Sequence, residues 1–385
     1  MFVHDLDAGW MEHPFWKSHF FVDDEEVIQR IASAGLRHVY IDTDRGKDTD
    51  AGLSISEVDA ALNATLKESG AESPAVHHVP ASVEMDRARS LYRETTAVVR
   101  NLMAASRSGR QVDVAALDPV AERMVQSAFR NPHALSGISR IKTKDEYTFM
   151  HSVGVSALLV SFARELDLPE QQIHDIAIGG LVHDIGKSLV PQNVLNKPDK
   201  LTYEEFVKMK DHVTYSRKLL VDLPDISQTA LDVALLHHER MDGTGYPVGK
   251  DGNTISLIGR MSAIVDVYDA LTSVRVYKHA WEPTLAMKKL LEWSPNHFDA
   301  ELVQRFVRCI GIYPVGSTVA LESGRVGIVI DQGDRLIAPI VRVVYNRKRG
   351  GYEKPTDIDL GKSQRDSVVE AVDPRKYGID ITLFV

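Results

Sequence analysis

The pair His183-Asp184 closes the apolar stretch Ile176-Ala177-Ile178-Gly179-Gly180-Leu181-Val182. An imidazole and a carboxylate in such a setting cost free energy unless they pair or bind a metal. Neighbouring helical residues point about 100° apart, so two adjacent ligands can reach two nearby ions, or one ion from two sides. Lys187 follows three residues after Asp184 and four after His183, on the same face of a continued helix. An ammonium there can hold a phosphate or donate a proton. The same oddity recurs. His237-His238 follows the apolar run Val233 to Leu236, and Asp266 interrupts Met261-Ser262-Ala263-Ile264-Val265 before Val267. His151 opens a helical segment through Val153, Val155, Leu158 and Leu159. His212 gives a weaker signal, because it ends the charged stretch Lys208 to His212. Any one of these alone reads as a hydrogen-bonded core or surface residue. Together, five histidines and two aspartates meet the ligand demand of a dinuclear site, with Asp184 available to bridge. Imidazole mixed with carboxylate suits Fe, Mn, Zn or Ni better than Mg alone.

A second His-Asp pair, His174-Asp175, is a decoy. It lies nine residues before His183, which on one helix faces about 180° away. It also follows the polar turn Leu168-Pro169-Glu170-Gln171-Gln172, so it reads as an exposed helix start. After the histidine pair comes Glu239-Arg240-Met241-Asp242-Gly243-Thr244-Gly245-Tyr246-Pro247. Two glycines and a proline make a tight loop. The plain reading is a helix terminator; the functional one is a pocket wall with Tyr246 stacked on a base. Arg275 and Lys278, three apart beyond Asp266, are either a solvated basic patch or a phosphate clamp.

The elements that must position these residues are mainly helical. Residues 131–310 read as a helical domain, punctuated by Pro169, Pro191, Pro198, Pro224, Pro247 and Pro283. Residues 84–130 carry helical patterning through Leu91, Val98, Val99, Leu102, Met103, Val120, Met124 and Val125. Residues 1–45 read as a small α/β piece, with strand character at Phe20-Phe21-Val22 and His38-Val39-Tyr40-Ile41. Between those strands a helix opens on Asp23-Asp24-Glu25-Glu26 and ends near Gly35. Residues 46–83 read as a polar linker with one short helix. Residues 311–385 read as a small β-rich module, with strands at Val315–Leu321, Val326–Asp331, Ile337–Tyr345 and Ile379–Val385. The fold class is therefore mainly α, flanked by an α/β piece and a β-module.

Composition narrows the function. The 385 residues carry a formal net charge of -9, which argues against nonspecific binding of long nucleic acid. A small anionic substrate remains compatible with a local cationic site. The single cysteine, Cys309, excludes an intramolecular disulfide and a cysteine-rich metal site. Met1 leads into His4, Asp5 and Asp7, unlike a signal peptide, and no apolar run reaches the ~18 residues of a membrane span. These features predict a cytoplasmic protein.

His183-Asp184-Ile185-Gly186-Lys187 and His237-His238-Glu239-Arg240-Met241-Asp242-Gly243-Thr244-Gly245-Tyr246-Pro247 resemble the two signature motifs of the HD-GYP family. That family is a helical branch of the HD phosphohydrolases that hydrolyses cyclic di-GMP. The resemblance runs over about residues 140 to 310. It implies two transition-metal ions, Fe or Mn, on His151, His183, Asp184, His212, His237, His238 and Asp266. It implies Asp184 and Lys187 as catalytic residues, with Arg275, Lys278, Tyr246 and Asp269 near a cyclic dinucleotide. Asp269 lies in Asp266-Val267-Tyr268-Asp269-Ala270-Leu271-Thr272-Ser273, which also resembles the family. Val274 and Val276 depart from the family's usual Asp and Pro. Some relatives hold a third metal through a glutamate; here that position is Tyr147, with Glu146 one step off, so two ions are expected. The first 45 or so residues resemble a domain of unknown function found ahead of HD-GYP modules, where a regulatory protein partner can dock. The implied reaction is hydrolysis of a 3′,5′-phosphodiester to pGpG and then GMP. The rival readings are a phosphohydrolase for another cyclic nucleotide, such as cyclic GMP-AMP, and a low-turnover cyclic-dinucleotide receptor or interaction module.

Overall fold

The structure is a computed structural model that describes residues 1–6, 19–33, 36, 38–49, 51–69, 79–140, 147–197, 199, 201–273, 280–363 and 366–384. Two compact units form: Met1–Ala60 with Val190–Asp211, and Ala61–Leu189 with His212–Val385.

In the first unit, strands β1 (Phe2–Asp5), β2 (Phe20–Phe21) and β3 (Tyr40–Ile41) make an antiparallel sheet in the order β2-β1-β3. Helix α1 (Glu25–Ser33) lies between β2 and β3 in sequence. The Asp24 carboxylate accepts from the Val27 amide at 2.9 Å, capping the acidic start the sequence predicts. Val3, Leu6 and Leu36 form its small core. The stretch expected as a linker holds a 15-residue helix, α2 (Ile55–Ser69). Its start is a reciprocal cap: the Ser54 amide donates to Glu57 Oε2 at 2.9 Å, and the Glu57 amide donates to Ser54 Oγ at 3.3 Å. That Ser-x-x-Glu signal outweighs the weak apolar periodicity.

The second unit is a helical bundle carrying a sheet. Helices α3 (Ala81–Arg107), α4 (Asp118–Arg130), α5 (Pro132–Arg140), α6 (Tyr147–Glu165) and α7 (Glu170–Val182) come first. The short α8 (Gln192–Leu195) and the start of α9 (Tyr203–Leu220) belong to the first unit; from His212 the rest of α9 returns to the second, followed by α10 (Gln228–Leu236), α11 (Leu257–Thr272), α12 (Pro283–Trp293) and α13 (Ala300–Ile310). Residues 151–163 of α6 are buried on every face, packed against α3, α4, α5, α7, α11 and α13. Its mix of Val, Leu, Ala, Ser and Gly is what such a central helix requires. The chain is mainly helical, as the sequence predicts. No described helix is long and apolar enough to cross a membrane.

The tail forms an antiparallel sheet of β4 (Thr318–Leu321), β5 (Arg325–Asp331), β6 (Ile340–Asn346), β7 (Gly351–Asp359) and β8 (Val368–Ala371), ordered β7-β6-β5-β4-β8. Pro355 falls on the edge strand β7, where a missing amide is tolerated. The expected last strand does not form. Residues Ile381–Leu383 make a 3-10 turn instead, because the Asp380 carboxylate accepts from both the Thr382 amide (3.0 Å) and its hydroxyl (2.7 Å). The sheet joins the bundle where Asp331 Oδ2 accepts from the Ala81 amide at 2.8 Å, at the N-terminus of α3.

One turn into α3, Glu84 is fully buried and accepts from Arg130 at 2.8 and 2.6 Å and from Ser127 at 2.9 Å. Burial pushes its pKa up, but Arg130 and Ser127 outweigh burial and hold it below the usual value. The stability this lends is full above the unfolded glutamate value of about 4.3 and is lost as pH falls through the lower folded value. Glu84→Gln should cost about 2–3 kcal/mol at neutral pH, with the difference from wild type shrinking below pH ~4. Denaturant unfolding at pH 7 and pH 3.5 reads this directly.

Candidate dinuclear metal centre

The helix that carries His183 does not continue, as the sequence had suggested. α7 ends at Val182, and a 3-10 turn spans Ile185–Leu189. Lys187 still reaches its neighbour, with Nζ 2.5 Å from Asp184 Oδ2. The turn lies flat against α9. A Cβ on Gly186 would sit 2.0 Å from the His212 carbonyl oxygen and 2.5 Å from the Ser216 amide nitrogen. Ser216 Oγ accepts from the Gly186 amide at 3.0 Å and donates to the His183 carbonyl at 3.2 Å. Glycine at 186 is thus what lets α9 bring His212 up to Asp184. His237 closes α10, Asp266 sits inside α11, and His151 lies in the second turn of α6.

All seven sequence-predicted ligands converge. His151, His183 and Asp266 offer ligand atoms within 4.8 Å of one another, and so do His212, His237 and His238. Asp184 stands between the two sets. Its Oδ2 is 3.4 Å from His183 Nε2 and 3.7 Å from His151 Nε2, while its Oδ1 is 3.4 Å from His212 Nε2 and 4.0 Å from His237 Nε2. One carboxylate with one oxygen facing each set is the arrangement of a bridging ligand. His212, expected as the weakest candidate, is only 1% exposed.

The rings are oriented from behind. His183 Nδ1 donates to the Gly180 carbonyl at 2.8 Å, and His237 Nδ1 donates to the Ala234 carbonyl at 3.0 Å. This aims each Nε2 inward, where it can serve as a ligand once it carries no proton. His237 Nε2 and His212 Nε2 face each other at 3.4 Å, a juxtaposition suited to a shared cation. His183 Nε2 and Asp184 Oδ1 are buried with no hydrogen-bond partner. Orphaned donors and acceptors in this position fit a metal pair, which would satisfy both.

The charges are unevenly divided. Burial opposes charge on His183, but Asp184 and Asp266 outweigh it and raise its pKa to about 10. Burial, with the charge on His183, pushes His237 down to about 3. Burial and His237 likewise hold His238 well below its usual value. Burial would raise both aspartates, but Lys187 and His183 hold Asp184 well below the carboxylate range, and His151 and His183 do the same for Asp266.

The loop after the histidine pair folds back on it. A Cβ on Gly245 would lie 2.5 Å from the Arg240 amide nitrogen. The buried Glu239 carboxylate pins the loop by accepting from the Val248 (2.9 Å) and Lys250 (2.8 Å) amides. Tyr246, expected as a platform for a base, stacks one face on His238, with ring centroids 4.5 Å apart and an interplanar angle of 26°. Asp269, expected near the substrate, is 2% exposed and its Oδ2 lies 2.7 Å from His151 Nδ1. Burial and that contact place it behind the His151 ring. The residues sequence reasoning missed are Ser216, Ser273, Tyr92 and Glu239, which act only through tertiary contacts. Arg275, Lys278 and Glu146 lie outside the described residues. The decoy pair behaves as expected in lying apart from the ligands, but His174 is half-buried, 4.0 Å from Asp118.

The family described as "HD domain" matches residues 120–302, and the "Domain of unknown function (DUF3391)" matches residues 1–117. The second match extends well beyond the 45 residues that carry the resemblance in the sequence. The protein named cyclic di-GMP phosphodiesterase PA4108, of Pseudomonas aeruginosa, is 39% identical over 372 residues, covering 96% of this chain and 88% of that protein. The chain belongs to the HD-GYP phosphodiesterase family. Two further relatives of this HD-GYP enzyme match over shorter stretches. The cyclic di-GMP phosphodiesterase response regulator RpfG of Xanthomonas campestris is 34% identical, over 56% of this chain and 58% of that one. The 3'3'-cGAMP-specific phosphodiesterase 1 of Vibrio cholerae is 40% identical, over 44% of this chain and 39% of that one.

Elemental analysis of this HD-GYP protein, loaded with metal, should give two ions per chain. Asp184→Ala should lose more metal than any single histidine substitution, because it removes an oxygen from each set. Loading should also release protons, since His183 must give up its proton to bind an ion; titration in weakly buffered solution measures it. Fewer than one ion, or three, would contradict the geometry.

Proposed function

We propose that the enzyme hydrolyses cyclic di-GMP, opening one 3′,5′-phosphodiester to linear pGpG and cutting that again to GMP. The observation that carries this is the match to the Pseudomonas aeruginosa protein of that name across nearly the whole chain. The ions proposed are Fe or Mn, which suit mixed imidazole and carboxylate ligands. When bound, such a pair activates water and draws charge from the phosphoryl oxygens. Asp184 would help hold both ions, since its two oxygens face different candidate ligand sets. Lys187, half-buried beside Asp184 Oδ2, is proposed to hold the scissile phosphate and to protonate the departing ribose oxygen, directly or through water. Arg275 and Lys278 are proposed, from the family resemblance, to hold the second phosphate or a guanine edge.

The flanks are proposed to position the catalytic helices and to receive a regulatory partner, since every candidate ligand lies between His151 and Asp266. A cytoplasmic setting accords with one free, buried cysteine. A second substrate, 3'3'-cyclic GMP-AMP, is favoured by the relatives of that specificity in Vibrio cholerae. The complete ligand set disfavours a receptor without turnover.

Product analysis on the full chain, loaded with Fe(II) or Mn(II) without oxygen, tests the reading. Cyclic di-GMP should be consumed, with pGpG appearing before GMP. Turnover of cyclic GMP-AMP alone would replace the substrate, and none with two ions bound would favour the receptor. Lys187→Ala should keep both ions and near-normal binding but lose ~10²-fold or more in kcat. Arg275→Ala should act on KM, by about 1–3 kcal/mol for a charge-assisted hydrogen bond. Steady-state kinetics on metal-replete variants separates the two, and the reverse pattern would exchange their roles.

A further inference from the structure

We propose that Asp269 is a positioning residue: its carboxylate fixes the proton of His151 on Nδ1, and so presents Nε2 as a strengthened ligand to one ion of the pair. The proposal rests on the metal-centre reading above. It begins with a spacing. Asp266 and Asp269 lie three apart in α11, on one helix face. Between them they hold the ring of His151, with Asp266 Oδ1 2.9 Å from Nε2 and Asp269 Oδ2 2.7 Å from Nδ1. Both carboxylates and the ring are buried. The two aspartates therefore have different tasks. Asp266 belongs to the ligand set with His151 and His183, while Asp269 meets the ring from its far side and joins no ligand group.

The Asp269 carboxylate is itself held. Ser273 Oγ donates to its Oδ2 at 3.1 Å. Tyr92 Oη donates to the Met150 carbonyl at 2.6 Å, fixing the backbone just ahead of His151. The ring and its acceptor are thus both anchored. A carboxylate acceptor differs in kind from the backbone carbonyls behind His183 and His237. It carries a full negative charge, so it draws the Nδ1 proton more strongly and makes Nε2 more electron-rich. His151 is therefore the one of these three ligands with charged support. Its ion is also the one facing Asp266 and Asp184 Oδ2. The two ions should differ in affinity, and Asp269 should contribute to one of them only.

Cobalt(II) titration of the full chain, followed by visible absorption and chelator competition, tests this. Wild type should take two ions. Asp269→Asn keeps the shape and loses the charge; it should weaken one ion by ~10–100-fold, the range for loss of such support, and shift that ion's absorption band. The weakened ion should be the one that remains in His238→Ala, which damages the other set. Ser273→Ala should weaken the same ion by a smaller factor and keeps the test readable if Asp269 variants fold poorly. If Asp269→Asn binds both ions as wild type does while Asp269→Ala loses metal, Asp269 only fills space and the proposal falls. Equal weakening of both ions would overturn it too. Wild type binding fewer than two ions would instead overturn the metal-centre reading beneath it.

Discussion

Asp184 is 1% exposed, at the centre of a helical bundle. A carboxylate withdrawn from water to that degree must be surrounded by compensating charge and donors, or it neutralises. Here the compensation arrives from four directions. Lys187 comes from its own turn, His151 from α6, His183 from the end of α7 and His212 from α9. The architecture serves that convergence. α6 is buried on every face so that His151 can meet α7 and α11 at once. The turn after α7 lacks a Cβ at Gly186, so α9 can close on it. Ser216 then ties α9 to that turn from both sides, through the Gly186 amide and the His183 carbonyl.

The two ligand sets are not equivalent. One combines two imidazoles with Asp266, and His151 is backed by Asp269. The other is three imidazoles, and His237 is backed by a neutral backbone carbonyl. Asp184 contributes one oxygen to each. The first set therefore holds more negative charge and suits a harder ion; the second offers softer donors. Lys187 meets Asp184 on the oxygen facing the first set. The Lys187 ammonium and the more anionic of the two candidate ligand sets thus share one side of the Asp184 carboxylate.

How much of this the sequence displays depends on whether a residue contradicts its surroundings. His183-Asp184, His237-His238 and Asp266 interrupt apolar runs, so burial and polarity conflict visibly within a few residues. His212 shows no such conflict, because Lys208, Lys210 and Asp211 just before it are charged. Its signal is periodic: His212, Ser216 and Leu220 recur every fourth residue and are all buried on the inner face of α9. The family resemblance points Asp269 toward the substrate, and the loop's glycines and proline point Tyr246 toward a base. Their contacts, to His151 and His238, are set by helix packing and loop return, which no local pattern encodes. The same division holds for the fold. β4, β5 and β6 are legible as apolar, β-branched runs, whereas the polar edge strands β7 and β8 are not, and Ile379 onward looks like a strand until the Asp380 side chain captures the Thr382 amide. The α2 helix was legible too, in its Ser54–Glu57 cap rather than in its weak apolar face.

Helix α3 links parts of the second unit that are remote in sequence. Its first amide is capped by Asp331 of the β-module. Three turns on, Tyr92 Oη donates to the carbonyl that precedes His151. Near its C-terminus, Ser106 Oγ and Ser188 Oγ hydrogen-bond at 2.7 Å, immediately after Lys187. Burial and the charge on Asp269 raise the Tyr92 pKa, so its hydroxyl stays protonated and remains a donor. α3 thus holds the backbone just ahead of His151 and the residue just after Lys187, the candidate ligand and the lysine that both meet Asp184 Oδ2. The β-module supplies no candidate ligand among the described residues, yet through one carboxylate it is joined to the helix that braces the Asp184 Oδ2 side of the centre.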